Sequence, residues 1–368
     1  MRIEFGLLMA ALTAALTISE SNAVKLLDSM IPGHMLIAKI VMTAVTTIGS
    51  YWGLVIASSR FRSAHGRRLI LLAAGIIGGV LVIVQPFGSL AGGASIAELI
   101  AISLLIGMSG FALSTTIYNQ VDYVHWKKTL AEYYVVSVVG SSTLVLLALM
   151  TGSIVPIAAA ILLAAIASSK NVTNVPIPFS SLKVLDNFAT TLKSALQGRA
   201  EGLRLDEVVR LSSAVGVMAS LKISAMQEAS AALGELTPLV YSLGYAIGVT
   251  LAASIDSTLA ASTAALLATA LYIGLDSGLP WLDLSLIGMA YGWSVLALVT
   301  YVLDRAPKKV RIASVSSVFW TVTSILVVFA STITLGVNPS IPALAILGAG
   351  LIVSGLIRAF HSSKVSWY

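Results

Sequence analysis

Cysteine is absent from the 368-residue sequence, so disulfide bonds and thiolate-bound metals are excluded. Charge is also scarce: 10% of the residues are charged, against about 25% in an ordinary soluble domain. Hydrophobic residues make up 57% of the chain. A soluble protein of this length has too much surface to cover with so few charges, whereas surrounding lipid removes that need. The composition therefore predicts a membrane protein.

Short motifs of ATP-driven proteins and of hydrolases are also missing. The sequence has no P-loop, no Gly-x-Ser-x-Gly nucleophile elbow and no His-Glu-x-x-His pair of metal ligands. No two of its four histidines share a short helical spacing, so they predict no metal site. We therefore expect no catalytic residue, no metal and no cofactor, and a protein that is not an enzyme.

The formal net charge of +6 could serve nucleic-acid binding, but the basic residues are not gathered on one soluble stretch. They lie between long apolar runs, where membrane topology is the simpler explanation. We therefore expect membrane lipids, and no nucleic acid, among the partners.

Twelve apolar runs alternate with polar segments. Runs of roughly 17–25 apolar residues are long enough to cross a bilayer as helices, and the first, sixth and ninth runs are the shortest. Ala, Gly, Ser and Thr occur throughout, which suits close helix contacts in lipid. The sequence predicts an all-α polytopic membrane protein with twelve transmembrane helices as two six-helix bundles. The predicted spans are residues 5–18, 35–57, 69–86, 96–118, 131–150, 154–167, 208–231, 238–254, 259–275, 284–303, 312–333 and 341–360.

Basic residues set the predicted orientation. Residues 58–68, SSRFRSAHGRR, hold four arginines and a histidine between the second and third runs, which is typical of a cytoplasmic loop. Arg210 and Arg358 lie at the inner ends of their runs and count as inner residues. With the amino terminus inside, Lys25 is then the only outer residue among the 22 Lys and Arg, and Lys39 and Lys222 lie deeper within runs. We expect a multi-pass protein of the cell membrane with both termini cytoplasmic.

The first run also resembles a secretory signal. Arg2 precedes the apolar residues 6–18, and Ser21-Asn22-Ala23 has the small-residue pattern of a cleavage site. Removing this run would leave an odd number of spans, so we expect it to be retained as a helix.

A longer polar interval, residues 168–206, divides the runs into six and six. Apolar residues within it recur at spacings of three and four and so share one helical face. The pattern predicts an amphipathic helix at the inner membrane surface, with a solvated linker helix as the alternative. We expect an N-terminal bundle over 1–168, a cytoplasmic linker over 169–206 and a C-terminal bundle over 207–368. The shared face consists of Leu182, Leu185, Phe188, Leu192 and Leu196.

This organisation resembles the major facilitator superfamily, which has twelve helices as six plus six, both termini inside and a long central inner loop. The family carries a Gly, a spacer and then Asp-Arg-x-Gly-Arg-Arg between its second and third helices. Here the order is Gly, a spacer, Ser-Arg-Phe and Gly-Arg-Arg, with Ser59 in place of the acid and residues 62–65 inserted. The resemblance implies a transporter whose conformational loop includes Gly53, Arg60, Gly66, Arg67 and Arg68.

Charged residues within the predicted spans are the first candidates for a site, because such charges are costly in a bilayer. Lys222 lies near the middle of the seventh span and Glu228 nearer its outer end, about 9 Å apart along the axis and about 120° apart around it. Lys222 is interpreted in two ways. It binds an anionic group or takes part in coupling, or it forms a structural pair or reaches toward an interface. Glu228 either couples transport to protons or is simply hydrated. Lys39 is more typical of a lysine that reaches the interface.

Aromatic and amide side chains supply the other candidates. In the family the first, fourth, seventh and tenth helices line the cavity, and the second, fifth, eighth and eleventh contribute. The alternative is that tyrosines and tryptophans form interfacial belts or pack between helices. The resemblance implies solute contacts from Asn119, Tyr241, Tyr245, Tyr291 and Trp293.

These features together predict a secondary active transporter that moves a small neutral, lipophilic or singly anionic solute by alternating access. Few charges lie in the spans, which disfavours a highly charged solute, and a proton is the candidate coupling ion. A transporter-like scaffold or receptor that moves no solute is one alternative, and a membrane-embedded lipid-modifying enzyme is another.

Overall fold

The apolar runs form twelve α-helices in the described part of the chain, and each helix covers one predicted span to within a residue or extends beyond it. The predicted all-α polytopic fold is confirmed. The computed structural model describes residues 3–30, 35–61, 63–88, 92–120, 126–172, 204–255, 257–274, 279–305 and 310–365. The helices are α1 (Ile3–Met30), α2 (Met35–Arg60), α3 (Ala64–Gly88), α4 (Gly92–Gln120), α5 (Trp126–Thr151), α6 (Val155–Lys170), α7 (Leu205–Leu233), α8 (Thr237–Ser254), α9 (Thr258–Gly274), α10 (Pro280–Arg305), α11 (Val310–Leu335) and α12 (Ser340–Val365).

The first helix has 28 residues and is therefore longer than its predicted span of residues 5–18. Its polar second half stays helical because its hydroxyl groups find partners. Ser19 Oγ, which is buried, donates to Glu98 Oε1 on α4 at 3.4 Å. As a result, α1 continues without a break through Ser21-Asn22-Ala23, the segment that resembles a cleavage site.

Large apolar side chains cover much of the helix surface. On α3, Ile76, Val80 and Ile83 are each exposed over more than half of their area, an arrangement that favours lipid over water. By length and composition, six helical stretches in the described chain could cross a membrane, and one of them, Asp206–Ser254, contains both α7 and α8. Four further apolar helices are shorter. These surfaces are those of a membrane protein.

The chain forms two compact units, Met1–Asp186 with α1–α6 and Asn187–Tyr368 with α7–α12. Equivalent helices pack together in each unit. In the first unit α2 packs with α4, α1 with α5 and α3 with α6, and in the second α8 packs with α10, α7 with α11 and α9 with α12. The predicted linker over 169–206 and its amphipathic face fall mostly on residues 173–203, outside the described residues, so these boundaries remain a prediction.

Glycine and proline end and restart the helices at two connections. After α5, Gly152 has a φ of +62°, in the left-handed region that glycine adopts without strain, and Pro156 lies in the first turn of α6. Gly234 ends α7 with a φ of +54°, and Pro238 lies in the first turn of α8. Both connections therefore turn the chain sharply between consecutive helices.

In each unit, a carboxylate at the start of the first helix accepts a hydrogen bond from the last helix or from the residue just after it. Asn171 Nδ2, just after α6, donates to Glu4 Oε1 at 2.5 Å, and Ser354 Oγ on α12 donates to Asp206 Oδ2 at 3.2 Å. Asp206 also pairs with Arg204 Nη2 at 3.0 Å. Burial lowers the pKa of the Arg204 guanidinium, but the hydrogen bond to Asp206 and the charges of Asp206, Glu207 and Tyr301 together raise it, so the pKa lies above its ordinary value.

Candidate functional site

Helices α8 and α10 approach each other so closely that only glycine fits between them. A Cβ atom built on Gly248 would lie 1.8 Å from the carbonyl oxygen of Met289, and one on Gly292 would lie 2.3 Å from that of Tyr245. Each helix carries a Gly-x-x-x-Gly motif at this contact, a spacing that lets membrane helices touch through their backbones. We call the contact the α8–α10 glycine seam. It consists of Gly244, Gly248, Gly288 and Gly292.

Three tyrosine rings stand at the seam and form what we call the tyrosine cluster, Tyr241 and Tyr245 of α8 and Tyr291 of α10. The ring centroids are 6.4 Å apart for Tyr241 and Tyr245, 6.5 Å for Tyr241 and Tyr291, and 5.7 Å for Tyr245 and Tyr291. Aromatic pairs attract each other at these distances. Because the seam fixes the two backbones, it also fixes the positions from which the rings project.

Lys222 of α7 reaches the tyrosine cluster. Its Nζ lies 4.7 Å from the centroid of the Tyr241 ring, within the range of a cation–π contact. Lys222 and Tyr291 are partly exposed, whereas Tyr241 and Tyr245 are buried. The hydroxyl of Tyr241 is buried and has no hydrogen-bond partner among the described residues. The arrangement offers a solute a positive charge, aromatic faces and a polar group, and it contains four of the six predicted solute contacts.

The remaining two predicted solute contacts are Trp293 and Asn119. Trp293 packs against an apolar cluster of α7, α9 and α10, and its Nε1 is buried without a hydrogen-bond partner in the described part of the chain. Asn119 lies in the last turn of α4, and its side chain is outside the described residues. The apolar cluster consists of Val208, Leu211, Val215, Ala261, Ala297, Leu298 and Tyr301.

Glu228, the candidate for proton coupling, is exposed and accepts a hydrogen bond from another helix. The hydroxyl of Tyr272 on α9 donates to Glu228 Oε1 at 2.8 Å. Sequence reasoning did not single out Tyr272, because a tyrosine near a helix end is typical of the membrane interface. The bond joins α7 to α9 six residues beyond Lys222, and it gives Glu228 a partner other than that lysine.

The predicted conformational loop contains arginines in different environments. Arg67, at the start of α3, is completely buried. Arg68 Nη2 donates to the carbonyl oxygen of Val172, just after α6, at 3.0 Å. The backbone N–H of Gly66 donates to Ser63 Oγ at 3.0 Å. Arg60 is the last residue of α2, and its side chain lies outside the described residues. Arg68 therefore connects the loop to the segment just after α6.

Gly53, the first glycine of the predicted loop motif, lies inside α2 and faces α4. A Cβ atom built on it would lie 2.1 Å from the carbonyl oxygen of Leu104, and one on Gly107 of α4 would lie 1.8 Å from that of Ser50. Gly53 thus permits a close helix contact, and its place in the loop motif stays a prediction. We call this contact the α2–α4 glycine seam.

Lys39 lies near several polar side chains that connect α1, α2 and α4. The charge of Glu20 acts on Lys39, and Thr43 Oγ1, one turn further along α2, donates to Glu20 Oε1 at 3.2 Å. Glu98 accepts the bond from Ser19 described above. Sequence reasoning missed Glu98 because it lies close to the start of an apolar span. A single carboxylate at that position hardly lowers the hydropathy of the span. Lys39 therefore has a carboxylate nearby within its own unit.

No protein-family model matches the chain. No curated protein matches it either. Solved structures are similar over nearly the whole length. The human organic anion transporter MFSD10 (TETRAN) has a TM-score of 0.59 and 15% identity, with 95% of this chain and 96% of that chain covered. The nucleoside transporter NupG has a TM-score of 0.63 and 11% identity, with 97% and 98% covered. The chain therefore has the fold of the major facilitator superfamily, as the sequence resemblance implies.

Proposed function

We propose that this protein is a secondary active transporter that moves a small neutral, lipophilic or singly anionic solute across the membrane by alternating access. The observation that carries the proposal is the meeting of Lys222 with the tyrosine cluster in the second unit. The fold supports it, because similar structures are described as an organic anion transporter and a nucleoside transporter. The proposed activity needs no cofactor and no covalent chemistry.

The position of Lys222 supports a role in solute binding. A lysine within a membrane span is a candidate for function, because its charge is costly there, and the Lys222 ammonium group lies over the ring of Tyr241. An anionic group on a solute would be attracted to that ammonium group, so Lys222 would favour the loaded state. The absence of other Lys or Arg residues from 211 to 304 supports a solute that carries little charge.

Glu228 is the proposed site of proton coupling. Its exposure lets protons reach the carboxylate, and the hydrogen bond from Tyr272 gives that carboxylate a contact that protonation would weaken. Uptake into proteoliposomes under an imposed pH gradient tests this role. We expect Glu228→Gln to remove the effect of the gradient. Glu235→Gln, which changes an exposed acid in the short 3₁₀ turn after α7, should retain it. An unchanged gradient effect in Glu228→Gln would exclude the role.

The proposed topology places both termini and the loop around Ser63 on the cytoplasmic face of the cell membrane. The chain has no cysteine, so a single Ser63→Cys substitution gives one labelling position without background. A membrane-impermeant maleimide should not label the Ser63→Cys variant in intact cells. It should label this variant once the membrane is permeabilised. Labelling of intact cells would contradict the proposed topology. It would also contradict the inner position proposed for Gly66, Arg67 and Arg68.

The decisive experiment for transport begins with a solute screen. A ligand raises the melting temperature of the state that it binds, so a thermal-shift screen of the purified protein against a broad solute panel selects candidates. Uptake of the best candidate into proteoliposomes should be saturable, and Lys222→Ala should abolish it if the solute is anionic. Lys25→Ala, which changes an exposed lysine, is the matched control. Stabilisation without uptake would favour a receptor or scaffold.

A further inference from the structure

We infer that the first unit carries a proton-binding acid of its own, Glu98 on α4, at the position that Asp283 occupies on α10 of the second unit. The inference rests on the proposed proton coupling for its role in transport, and it deepens that proposal by adding an acid of the first unit to Glu228 of the second. Three observations carry it: a residue register that the two units share, the hydroxyl partner of Glu98, and the balance of charge around it.

The two glycine seams align residue for residue. Three contacts of the α2–α4 seam have counterparts in the α8–α10 seam, and all three imply one offset along the chain between α2 and α8 and one between α4 and α10. The two units therefore share a residue register that is defined by backbone contacts. The matched contacts, each from a glycine Cβ position to a backbone oxygen, are Gly53 to Leu104 with Gly248 to Met289, Gly107 to Ser50 with Gly292 to Tyr245, and Gly49 to Ile100 with Gly244 to Ser285.

This register pairs Glu98 with Asp283. Glu98 is the one acidic residue in the sequence of α4, and Asp283 is the one acidic residue in the first half of α10. Both side chains are half-buried. Identical residues surround the pair in the alignment, so the shared acid belongs to a repeated pattern and is not a chance match. They are Leu99 with Leu284, Ile102 with Ile287, Gly107 with Gly292, Ser109 with Ser294, Ala112 with Ala297 and Leu113 with Leu298.

A hydroxyl group from another helix contacts Glu98. Ser19 Oγ of α1, which is buried, donates to Glu98 Oε1 at 3.4 Å. A hydroxyl group can donate to a carboxylate and can also accept from a carboxylic acid, whereas an ammonium or guanidinium group can only donate. The contact between Ser19 and Glu98 is therefore compatible with both protonation states of the acid.

The second unit also places a hydroxyl group beside its acids. Tyr272 of α9 donates to Glu228 Oε1 at 2.8 Å, and the charge of Asp283 acts on the same tyrosine. Each unit thus combines an acid of its first helix, an acid of its fourth helix and a hydroxyl partner. In the first unit these acids are Glu20 and Glu98.

The end of the first unit that holds Glu98 has more acids than bases. Residues 19–45, 76–105 and 139–162 contain the acids Glu20, Asp28 and Glu98 and the lysines Lys25 and Lys39. The charge of Glu20 acts on Lys39, so these two groups balance each other. With His34 neutral, one negative charge is left over, and such a charge is costly in a bilayer. One proton on a carboxylate would make this end of the unit neutral.

The helices that pack against α4 are α1, α2, α3 and α5. The ionisable residues nearest to the level of Glu98 are Glu20 of α1 and Lys39 and Tyr51 of α2. Those of α3 and α5 lie in the first third of each helix, which is the far end from Glu98 because consecutive helices run in opposite directions. They are His65, Arg67, Arg68, Lys127, Lys128, Glu132, Tyr133 and Tyr134.

Infrared spectroscopy of the purified full-length protein detects this proton directly. A protonated carboxylic acid has a carbonyl stretching band that a carboxylate lacks, and exposed carboxylates stay ionised between about pH 8 and about pH 6. The difference spectrum between these two conditions should therefore show a carboxylic acid band. Glu98→Gln should lose one component of that band, and Glu235→Gln, which changes an exposed acid, should keep all of it. An identical band in Glu98→Gln and the parent protein would overturn the inference.

The partner hydroxyl gives a second readout. Ser19→Ala should shift the Glu98 component to higher frequency, because the carbonyl group loses a hydrogen bond, and Ser19→Thr should retain the original frequency. A general loss of stability would not produce this shift. Ser21→Ala is the matched control, since Ser21 is exposed and donates to the carbonyl oxygen of Thr17 in its own helix. A band that does not move in Ser19→Ala would contradict the contact on which the inference depends.

Flux measurements distinguish this inference from the proposed coupling. Uptake of the solute selected by the thermal-shift screen is measured in proteoliposomes with and without a pH gradient, and Glu98→Gln should weaken the effect of the gradient. A Glu98 component in the infrared band, together with uptake that is indifferent to the gradient in the parent protein, would support proton binding and contradict coupling. An equal gradient effect in the parent protein and Glu98→Gln, together with identical infrared bands, would support coupling and exclude Glu98.

Discussion

The α2–α4 pair of the first unit and the α8–α10 pair of the second unit are equivalent in the packing scheme, and both depend on glycine. A Cβ atom on Gly107 or on Gly248 would lie 1.8 Å from a backbone oxygen of the partner helix. The two seams differ in what stands beside them. Ser103 meets the position of Gly49 in the first unit, whereas the tyrosine cluster stands at the second seam. Close packing is thus common to both units, and the chemistry of the candidate site belongs to one.

The two lysines within the predicted spans also differ between the two units. Lys39 of the first unit is influenced by the carboxylate of Glu20, whereas Lys222 of the second unit lies over the ring of Tyr241. Lys39 thus has a carboxylate nearby within its own unit, and Lys222 has an aromatic face within the proposed solute site. On the proposed function, we expect Lys222 rather than Lys39 to meet a solute.

The largest expected effect concerns the shared scaffold. Gly107→Ala and Gly248→Ala should each lower the free energy of unfolding by about 3 kcal/mol or more, because the new methyl group would overlap a backbone oxygen that cannot move cheaply. Differential scanning fluorimetry of the purified variants checks this. Gly355→Ala on α12 is the matched control, since a Cβ atom there meets no other atom within 4 Å. If either seam variant melts like the control, the close helix contact is refuted for that unit.

The next effect separates the two lysines. Lys222→Gln should lower the uptake rate of an anionic solute at least about tenfold, equivalent to about 1.4 kcal/mol, while Lys39→Gln should change it by less than about twofold. Initial rates in proteoliposomes containing equal amounts of folded protein provide the measurement. Equal losses in both variants would remove the distinction between the units.

A smaller effect tests the polar contacts between the first and last helix of each unit. Asn171→Ala and Ser354→Ala should each lower the free energy of unfolding by about 1 kcal/mol. Each variant removes one hydrogen bond to a carboxylate at the start of α1 or α7. Ser230→Ala is a suitable control, since Ser230 is exposed and its hydroxyl donates to the carbonyl oxygen of Gln227 in its own helix. Thermal unfolding gives the comparison, and a loss in one variant alone would show that the two units are not anchored alike.

The smallest effect is expected at Arg204. Its side chain is 41% exposed, so its ion pairs with Asp206 and Glu207 should contribute only about 0.2–1 kcal/mol. Arg204→Gln should therefore lower the melting temperature slightly at low salt, and the difference should shrink as salt screens the charges. A large loss that is independent of salt would mean that Arg204 acts through packing.

Much of the fold could be predicted because it depends on local properties. The length of an apolar run determines whether it can cross a bilayer as a helix. The twelve apolar runs correspond to the twelve helices of the structure. The spacing of Tyr241 and Tyr245 at i, i+4 placed both on one face of α8. The glycine seams could not be predicted in the same way. Gly-x-x-x-Gly spacing is visible in α8 and α10, but the identity of the facing helix depends on the tertiary structure.

The candidate site was predicted less completely for related reasons. Tyr291 and Trp293 are two residues apart and so about 200° apart around α10. Both pack against the apolar cluster of α7, α9 and α10, and Tyr291 also belongs to the tyrosine cluster. Tyr272 and Glu98 were missed because their partners lie on helices distant in sequence. Such partnerships leave no spacing pattern along the chain.

Backbone contact across four glycines holds α8 and α10 together as a rigid helix pair. We therefore expect any motion that reshapes the candidate site to come from a neighbouring helix, and α7 is the neighbour that carries Lys222. Under the proposed alternating access, the separation between Lys222 Nζ and the Tyr241 ring, 4.7 Å here, would differ between conformational states. A distance measured between spectroscopic labels on α7 and α8 would follow that difference even when nothing is bound.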